Sequence, residues 1–538
     1  MPLFKRSTLY VGLFFSALLL LGLFLFRDYG VSWDEPVDRL NGQVSARYVA
    51  QQLAPGWLQQ QPRLQQAPPL HNFAENDHGV LFEMPLALLD QVLFGADNPQ
   101  GYYHLRHLLV FLVSMAGVWA LYRLGRHRFD SWQWGLLGAL LLVLSPRFFA
   151  ESFYNAKDLV FTALFTLGIY TLVRVQQRPS VGRIVVHALA TGAAVDVRVL
   201  GMMLVGFSLG MVGLHVWAAP DRRGAWRQAR QGTALYLAAT MVFLTIGWPY
   251  LWSNPFEHLW NAYRNMSHFR WEENVRYLGA EVLATRLPWH YAPVWMLVTI
   301  PVPYTLGFLA GLGTWLRDVG QAGWATLRTA QGRLDLLLVG WALLPLLLVI
   351  ALHSVIYDGW RHLYFVYPAF LLLAVRGCRA LWQAAQARSA ARRVAQLAGV
   401  AAGLFLVYLA GWMVAAHPYQ NMYFAALPGS VAERLFERDY WGLSGREGLE
   451  WVLTHDSAPR ITVSTDRKAV SVLESSQQLL PAAERARLRV VPAGQATYFI
   501  SVYRWHPAPY GPEYGQEVYS RRVGGIKILS VFRQPLVR

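Results

Sequence analysis

The chain has 538 residues, of which 54% are hydrophobic and only 15% charged, with a formal net charge of +16. Apolar runs on this scale exclude an ordinary soluble protein, and the single cysteine, Cys378, excludes an internal disulfide framework. The basic excess suits nucleic acid in principle, but the arginines cluster in short loops between apolar runs, which is the pattern of membrane topology.

Residues 8–26 (TLYVGLFFSALLLLGLFLF) form the first apolar run, close to the roughly 20 residues a helix needs to cross a bilayer. Lys5 and Arg6 precede it, but no small-residue cleavage site follows, so a retained membrane helix is expected. Similar runs recur near 105–122, 131–148, 158–175, 184–197, 199–217, 233–250, 292–316, 334–353, 363–376 and 396–415. About eleven spans are therefore expected. With the N-terminus inside, every inner loop is basic, which places the C-terminus outside.

Residues 27–104 then form a first outer loop with helices of its own. Pro36 fits the first position of a helix, and Val37, Leu40, Val44 and Tyr48 fall on one face, as in a helix lying at a membrane surface. A second helix is expected over 80–95. Residues 59–69 are a Gln/Pro-rich loop, and 251–291 form another outer loop rich in Trp, Tyr and Arg. Beyond residue 416 the pattern changes. ITVST (461–465), RLRVVP (487–492), ATYFISVYRW (496–505) and the pair of segments around Gly524-Gly525 read as strands, and 444–455 reads as a helix. The expected organisation is a polytopic α-helical membrane domain, 1–416, followed by a small outer α/β domain, 417–538.

Charged residues cluster on the expected outer face. WDEP (33–36) presents Asp34 and Glu35 just after the first span. One reading is a helix N-terminus, where carboxylates cap free N–H groups. Another is a carboxylate placed to accept a proton at the membrane surface. The loop at 145–161 carries Arg147, Glu151, Lys157 and Asp158; Asp196 and Arg198 interrupt an apolar stretch; Asp358, Arg361 and His362 open a later span. Each cluster alone also reads as interfacial anchors or structural ion pairs, but charges at membrane depth mark cavities and pathways. Acids and cations together at a lipid boundary suit glycosyl transfer from a lipid phosphate. The acceptor hydroxyl needs a base, and the departing phosphate needs fixed positive charge.

In these motifs the chain resembles the GT-C glycosyltransferases, specifically the family 39 type that includes protein O-mannosyltransferases and the lipid A aminoarabinose transferase. The resemblance is carried by WDEP (33–36), Arg106 in YYHLRHLL, NAKD (155–158), VDVRVLG (195–201), LPWHYAP (287–293) and GWRHLYFVYP (359–368), where His362 replaces the usual Tyr. It spans roughly residues 8–416. It implies an inverting transferase that uses a polyprenyl-phosphate sugar donor outside a bacterial cytoplasmic membrane. The acceptor would be a glycolipid, polysaccharide or protein. By motif matching, Asp34 is the general base, Glu35 supports it, and Asp158 positions the acceptor or a metal. Lys157, Arg198, Arg361, Arg147 and Arg106 are the expected phosphate-binding residues, and His290, Tyr291, Tyr357 and His362 the expected substrate-binding ones.

The resemblance leaves a divalent metal (Mg or Mn) open, because some members use one and others none. His71, Glu75, Asp77 and His78 lie in one loop, but their spacing matches no standard zinc pattern and suits a solvated loop. Asp439-Tyr440-Trp441 suit either interfacial packing or a sugar-facing wall. A lipid-linked sugar flippase is the competing function, although no internal repeat of the transporter kind is visible. A membrane-anchored binding protein is a second alternative, but ten further spans exceed what an anchor needs.

Overall fold

The computed structural model describes residues 2–94, 98–267, 271–387 and 391–535. Among these, seven helices are long and apolar enough to cross a membrane, and nine spans result if each of two bent pairs counts as one. The chain is therefore a multi-pass helical membrane protein. In one pair, Trp132–Val143 and Pro146–Tyr154 meet at 71°; in the other, Tyr291–Thr299 and Val302–Arg328 meet at 119°. Pro146 opens the second member of its pair, where its missing N–H costs nothing, so the chain turns there without losing a helical bond. The expectation of eleven exceeds this count at two places. Val181–Val197 has only 17 residues, and arginine-rich first turns dilute the apolar stretch of Arg222–Gly247.

Close backbone packing holds the bundle. Helices Val302–Ala322 and Tyr367–Gln386 touch through glycines: a Cβ on Gly377 would lie 2.0 Å from the Gly307 carbonyl oxygen. In a bilayer, where burial from water does not drive helices together, such small-residue contacts supply the van der Waals attraction. At the arginine-rich end, Asp335 is held by Arg128 and Arg376, with Arg128 Nη2 donating at 2.6 Å.

The first outer loop folds differently from its apolar pattern. Helix Glu35–Leu53 buries Glu35, Asp38, Asn41, Gly42 and Ser45 beside Val44, whereas Val37 is 42% exposed. The polar stripe is the inner one because it packs on helix Glu83–Leu93 and meets a buried arginine, Arg106. Gly42 makes this approach possible, since a Cβ there would sit 2.4 Å from the Glu83 carbonyl oxygen. The last residue of the helix expected over 80–95, Gly95, lies outside the described residues. The outer segment 251–291 contains helix Pro255–Ser267 and an antiparallel hairpin, β1 (Asn274–Tyr277) and β2 (Ala280–Leu283). Its two turn residues, Leu278 and Gly279, both have positive φ, the geometry of a tight hairpin turn.

Beyond the last span, strands β3 (Ile461–Ser464), β4 (Leu488–Val490), β5 (Tyr498–Ser501), β6 (Gln516–Val523) and β7 (Ile526–Arg533) form one sheet in the order β4-β3-β5-β7-β6. β3 pairs in parallel with β4 and β5, and β7 pairs antiparallel with β5 and β6. Helix Gly445–His455 lies on the sheet, with Gly448 against Ile500 and Leu529. This is the small α/β unit expected at the C-terminal end.

Candidate active site

The site forms where four distant segments meet. Asp34 stands just before helix Glu35–Leu53, whose Pro36 sets the first turn. Asp158 lies in a π-helical turn, Ala156–Val160, capped by the Asn155 side chain, which accepts from the Asp158 backbone N–H at 3.0 Å. A wide turn of this kind inside a helix re-aims its side chains and is common at functional sites. Arg198 sits in extended backbone between Val181–Val197 and the following helical turn. Arg361 follows a turn in which Asp358 and Gly359 both have positive φ.

These residues converge on the Arg361 guanidinium. Its Nη1 donates to Asp34 Oδ2 at 2.7 Å and approaches Asp158 Oδ2 at 3.4 Å, while Nη2 lies 3.3 Å from Asp358 Oδ2. Arg198 pairs with the other oxygen of Asp158, and the Asn155 amide donates to Asp158 Oδ2 at 3.0 Å. Asp158 and Arg361 are buried, but Asp34, Lys157 and Arg198 each keep 20–24% of their side chains exposed. The open part of the cluster is thus one carboxylate and two cations. Burial alone would raise the Asp34 carboxyl, but the Arg361 and Lys157 charges outweigh it and hold Asp34 below the usual carboxylate range.

Three buried nitrogens here have no hydrogen-bond partner among the described residues: the Arg198 Nε and Arg361 Nε donors, and His362 Nδ1, which donates or accepts according to its tautomer. Buried polar atoms are rarely left so, and an acceptor-rich ligand would complete them. The His362 ring stands edge-on to Tyr357 at 4.7 Å, and Tyr357 stacks on Trp271 at 4.2 Å while lying under Arg361 at 4.9 Å.

Other expected site residues point elsewhere. Glu35 accepts from the Ser32 backbone N–H at 2.6 Å and contacts His107 Nε2 at 3.0 Å, so it fixes the helix start. Arg106 is fully enclosed by Glu83 at 2.8 Å, Asp38 at 3.0 Å and Glu35 at 3.6 Å. Lys157 also pairs with Asp38, at 2.8 Å. Burial, reinforced by the Asp38 charge and only partly offset by Arg106, pushes the Glu83 carboxyl up to about 8. Arg147 donates to the Tyr423 carbonyl at 3.1 Å and lies over Phe424, tethering the segment after the last span. His290 bonds to the Tyr277 hydroxyl at 2.6 Å on the hairpin, and the Tyr291 hydroxyl accepts from the Gly359 N–H at 3.1 Å, bracing the turn before Arg361.

Sequence reasoning missed the depth to which the C-terminal unit enters this site. The Trp441 ring covers Arg361 at 4.8 Å, and its carbonyl accepts from the Trp33 N–H at 3.1 Å. Arg504 Nη2 donates to Asp358 Oδ1 at 2.7 Å, and the Tyr440 hydroxyl donates to Glu151 at 3.3 Å. Asp439 instead accepts from Ser444 and Leu443 within its own turn. Nothing in the run of residues around Arg504 signals this contact. Asp38 was missed too, although its place one helical turn after Asp34 and Glu35 was a usable signal.

Among the described residues, one group of three has metal-ligating geometry: Glu75, Asp77 and His78, with ligand atoms within 4.8 Å of one another. The carboxylate, carboxylate and imidazole set suits a divalent cation. The loop is attached to helix Glu35–Leu53 through Asn41, which donates to the His78 carbonyl at 3.2 Å. His71 does not join it and stands against the Tyr48 and His258 rings.

Residues 105–252 match the family described as dolichyl-phosphate-mannose-protein mannosyltransferase. That segment includes Arg106, Arg147, Lys157, Asp158 and Arg198. No curated protein matches the sequence. Among solved structures, the chain is similar to ArnT from Cupriavidus metallidurans bound to undecaprenyl phosphate, with 16% identity, a TM-score of 0.49, and coverage of 97% of this chain and 98% of that one. It is also similar to the oligosaccharyltransferase AglB from Archaeoglobus fulgidus in complex with an inhibitory peptide and a dolichol-phosphate, with 9% identity, a TM-score of 0.45, and coverage of 91% and 69%.

Proposed function

We propose that the protein is an inverting glycosyltransferase that moves a sugar from a polyprenyl-phosphate donor to an acceptor hydroxyl. The reaction would take place on the periplasmic face of a bacterial cytoplasmic membrane. The observation that carries this reading is the sharing of Arg361 by Asp34 and Asp158, beside buried donors that lack an acceptor.

In this reading the donor phosphate lies against Lys157, Arg198 and Arg361, and charge-assisted hydrogen bonds hold its oxygens. Asp34 faces the acceptor hydroxyl. With the pocket empty, the neighbouring cations make Asp34 a weak base. A bound phosphate neutralises part of that positive charge, so the proton affinity of Asp34 rises when the donor is in place. The acceptor oxygen then attacks the anomeric carbon, its proton passes to Asp34, and the sugar–phosphate bond breaks with its electron pair on the phosphate. The cations stabilise that growing charge. One displacement inverts the anomeric centre and requires no covalent intermediate. Asp158 holds Arg198 and Arg361 in position. If a divalent cation binds Glu75, Asp77 and His78, it acts on the first loop, and no step above passes through it.

The test compares envelope glycans and glycolipids from a strain lacking the gene with those from a strain carrying Asp34→Asn. Both profiles should miss the same sugar while the variant protein accumulates in the membrane. Full transfer by Asp34→Asn overturns the base assignment. A deletion that alters no glycan but blocks passage of a lipid-linked sugar across the bilayer favours a flippase.

A further inference from the structure

A second cavity lies at the opposite end of the bundle. Helix Phe161–Gln177 begins just after Asp158 and ends beside this cavity, roughly 27 Å away along its axis at 1.5 Å per residue. The space, about 140 Å³, is enclosed by that helix together with Val181–Val197, Met202–Ala218 and Arg222–Gly247. Leu172, Val175, Ile184 and Val212 give it aliphatic walls. Its floor is polar but internally satisfied: His187 bonds to Thr171 and Ser208 at 2.9 Å each, and Tyr236 donates to Thr191 at 3.0 Å. One lining group differs. Gln176 Nε2 is buried without a hydrogen-bond partner among the described residues.

The two turns that lend Pro179, Ile184, Ala225 and Gln228 to the lining are rich in arginine. Arg174, Arg178 and Arg183 lie in or beside one, Arg222, Arg223, Arg227 and Arg230 in or beside the other, and Asp221 is the single acid in these two turns. Asp221 already caps its own helix by accepting from the Gly224 N–H at 3.0 Å. Arg183 donates to the carbonyls of Arg174 and Arg178, Arg222 donates to the carbonyl of Trp217, and Arg230 covers Trp226. Among the described residues, no carboxylate lies within ion-pair distance of these seven arginines.

An aliphatic slot between four helices, a buried amide donor at its edge and neighbouring turns whose arginines have no carboxylate partner among the described residues together match one kind of molecule. We infer that this cavity binds an anionic phospholipid of the adjacent leaflet. Part of an acyl chain occupies the slot, a glycerol-ester oxygen accepts from Gln176 Nε2, and the phosphate faces the arginine-rich turns. Basic side chains near an anionic lipid surface each add attraction, so several together select an anionic over a zwitterionic head group. The inference is independent of the proposed transfer reaction.

The test uses the purified full chain in a non-ionic detergent, with the thermal midpoint followed by tryptophan fluorescence. It is titrated separately with phosphatidylglycerol, with phosphatidylcholine of the same chains, and with glycerol 3-phosphate. Phosphatidylglycerol alone should raise the midpoint saturably. Ala229→Phe, which fills the slot, and Gln176→Leu, which removes the donor, should each raise the half-maximal lipid concentration about tenfold. Val414→Phe, on an exposed face of the last span, should leave it unchanged. Equal shifts with both lipids, equal responses in wild type and Gln176→Leu, or a response to glycerol 3-phosphate would overturn the site. If Ala229→Phe does not fold, native mass spectrometry of the wild type and Gln176→Leu decides. Retained phosphatidylglycerol in the first and its loss in the second is the expected pair, and no retention in the wild type overturns the site.

Discussion

Arg504 of the C-terminal unit donates to Asp358 at 2.7 Å, and both side chains are buried. The other oxygen of Asp358 faces Arg361, so the sheet that follows the last span braces the cation at the centre of the candidate active site. Removing one partner of a buried ion pair leaves the other charge uncompensated, at a cost of about 3–5 kcal/mol. Arg504→Ala should therefore lower the melting midpoint and weaken undecaprenyl-phosphate binding. Arg504→Ala with Asp358→Asn should recover much of the stability, as a thermal unfolding cycle over the four proteins would show.

Arg361 contacts three carboxylates with a planar fork, which an ammonium group cannot reproduce. Arg361→Lys should keep the charge yet lose most transfer, with a protein that still inserts in the membrane. An Arg361→Lys enzyme with near wild-type turnover would remove Arg361 from the centre of the reaction.

Arg198 and Lys157 are the two cations that reach the open part of the site. A hydrogen bond to a charged group contributes about 1.5–3 kcal/mol, so Arg198→Gln should weaken undecaprenyl-phosphate binding by roughly ten- to a hundredfold. Arg147→Gln should act on stability instead, because Arg147 binds the Tyr423 carbonyl and the Phe424 ring. Titration of labelled lipid phosphate against both variants separates the two roles.

The cage around Arg106 holds three carboxylates, Glu35, Asp38 and Glu83, against two cations, Arg106 and Lys157. Burial first, and then the nearby Asp38 charge, raise the Glu83 carboxyl to about 8 against an ordinary value of 4.5. Across that interval the folded state binds more protons than the unfolded chain, so its stability falls as pH rises. The midpoint should decline between pH 5 and pH 8, and Glu83→Gln should flatten that decline. An unchanged slope in the variant would assign the proton to another group.

The spans and the α/β unit were legible because they are written in local periodicity: long apolar runs for one, short alternating runs for the other. The helix after Asp34 was read correctly as a helix, but its inward acidic face was not foreseen. Of the apolar stripe only Val37 is exposed, Val44 is buried with Leu40 and Tyr48 packed beside it, and ion pairs with Arg106 and Lys157 hold Asp38 inside. Asp34, Asp158, Arg198 and Arg361 could be grouped because topology alone places their segments on one side. The roles of Trp441 and Arg504 could not be read, since they depend on how the final sheet docks, and no short-range pattern encodes that. Hairpin β1–β2 was also missed, because its turn carries Leu278 where a stronger turn former would have announced it.

The backbone contact between Trp33 and Trp441 joins an early segment of the chain to a late one. Asp34 is synthesised early, but the wall beside Arg361 is complete only once Trp441 and Arg504, from the far end of the chain, are in place. A chain stopped short of residue 441 would thus carry every long apolar helix yet lack that wall.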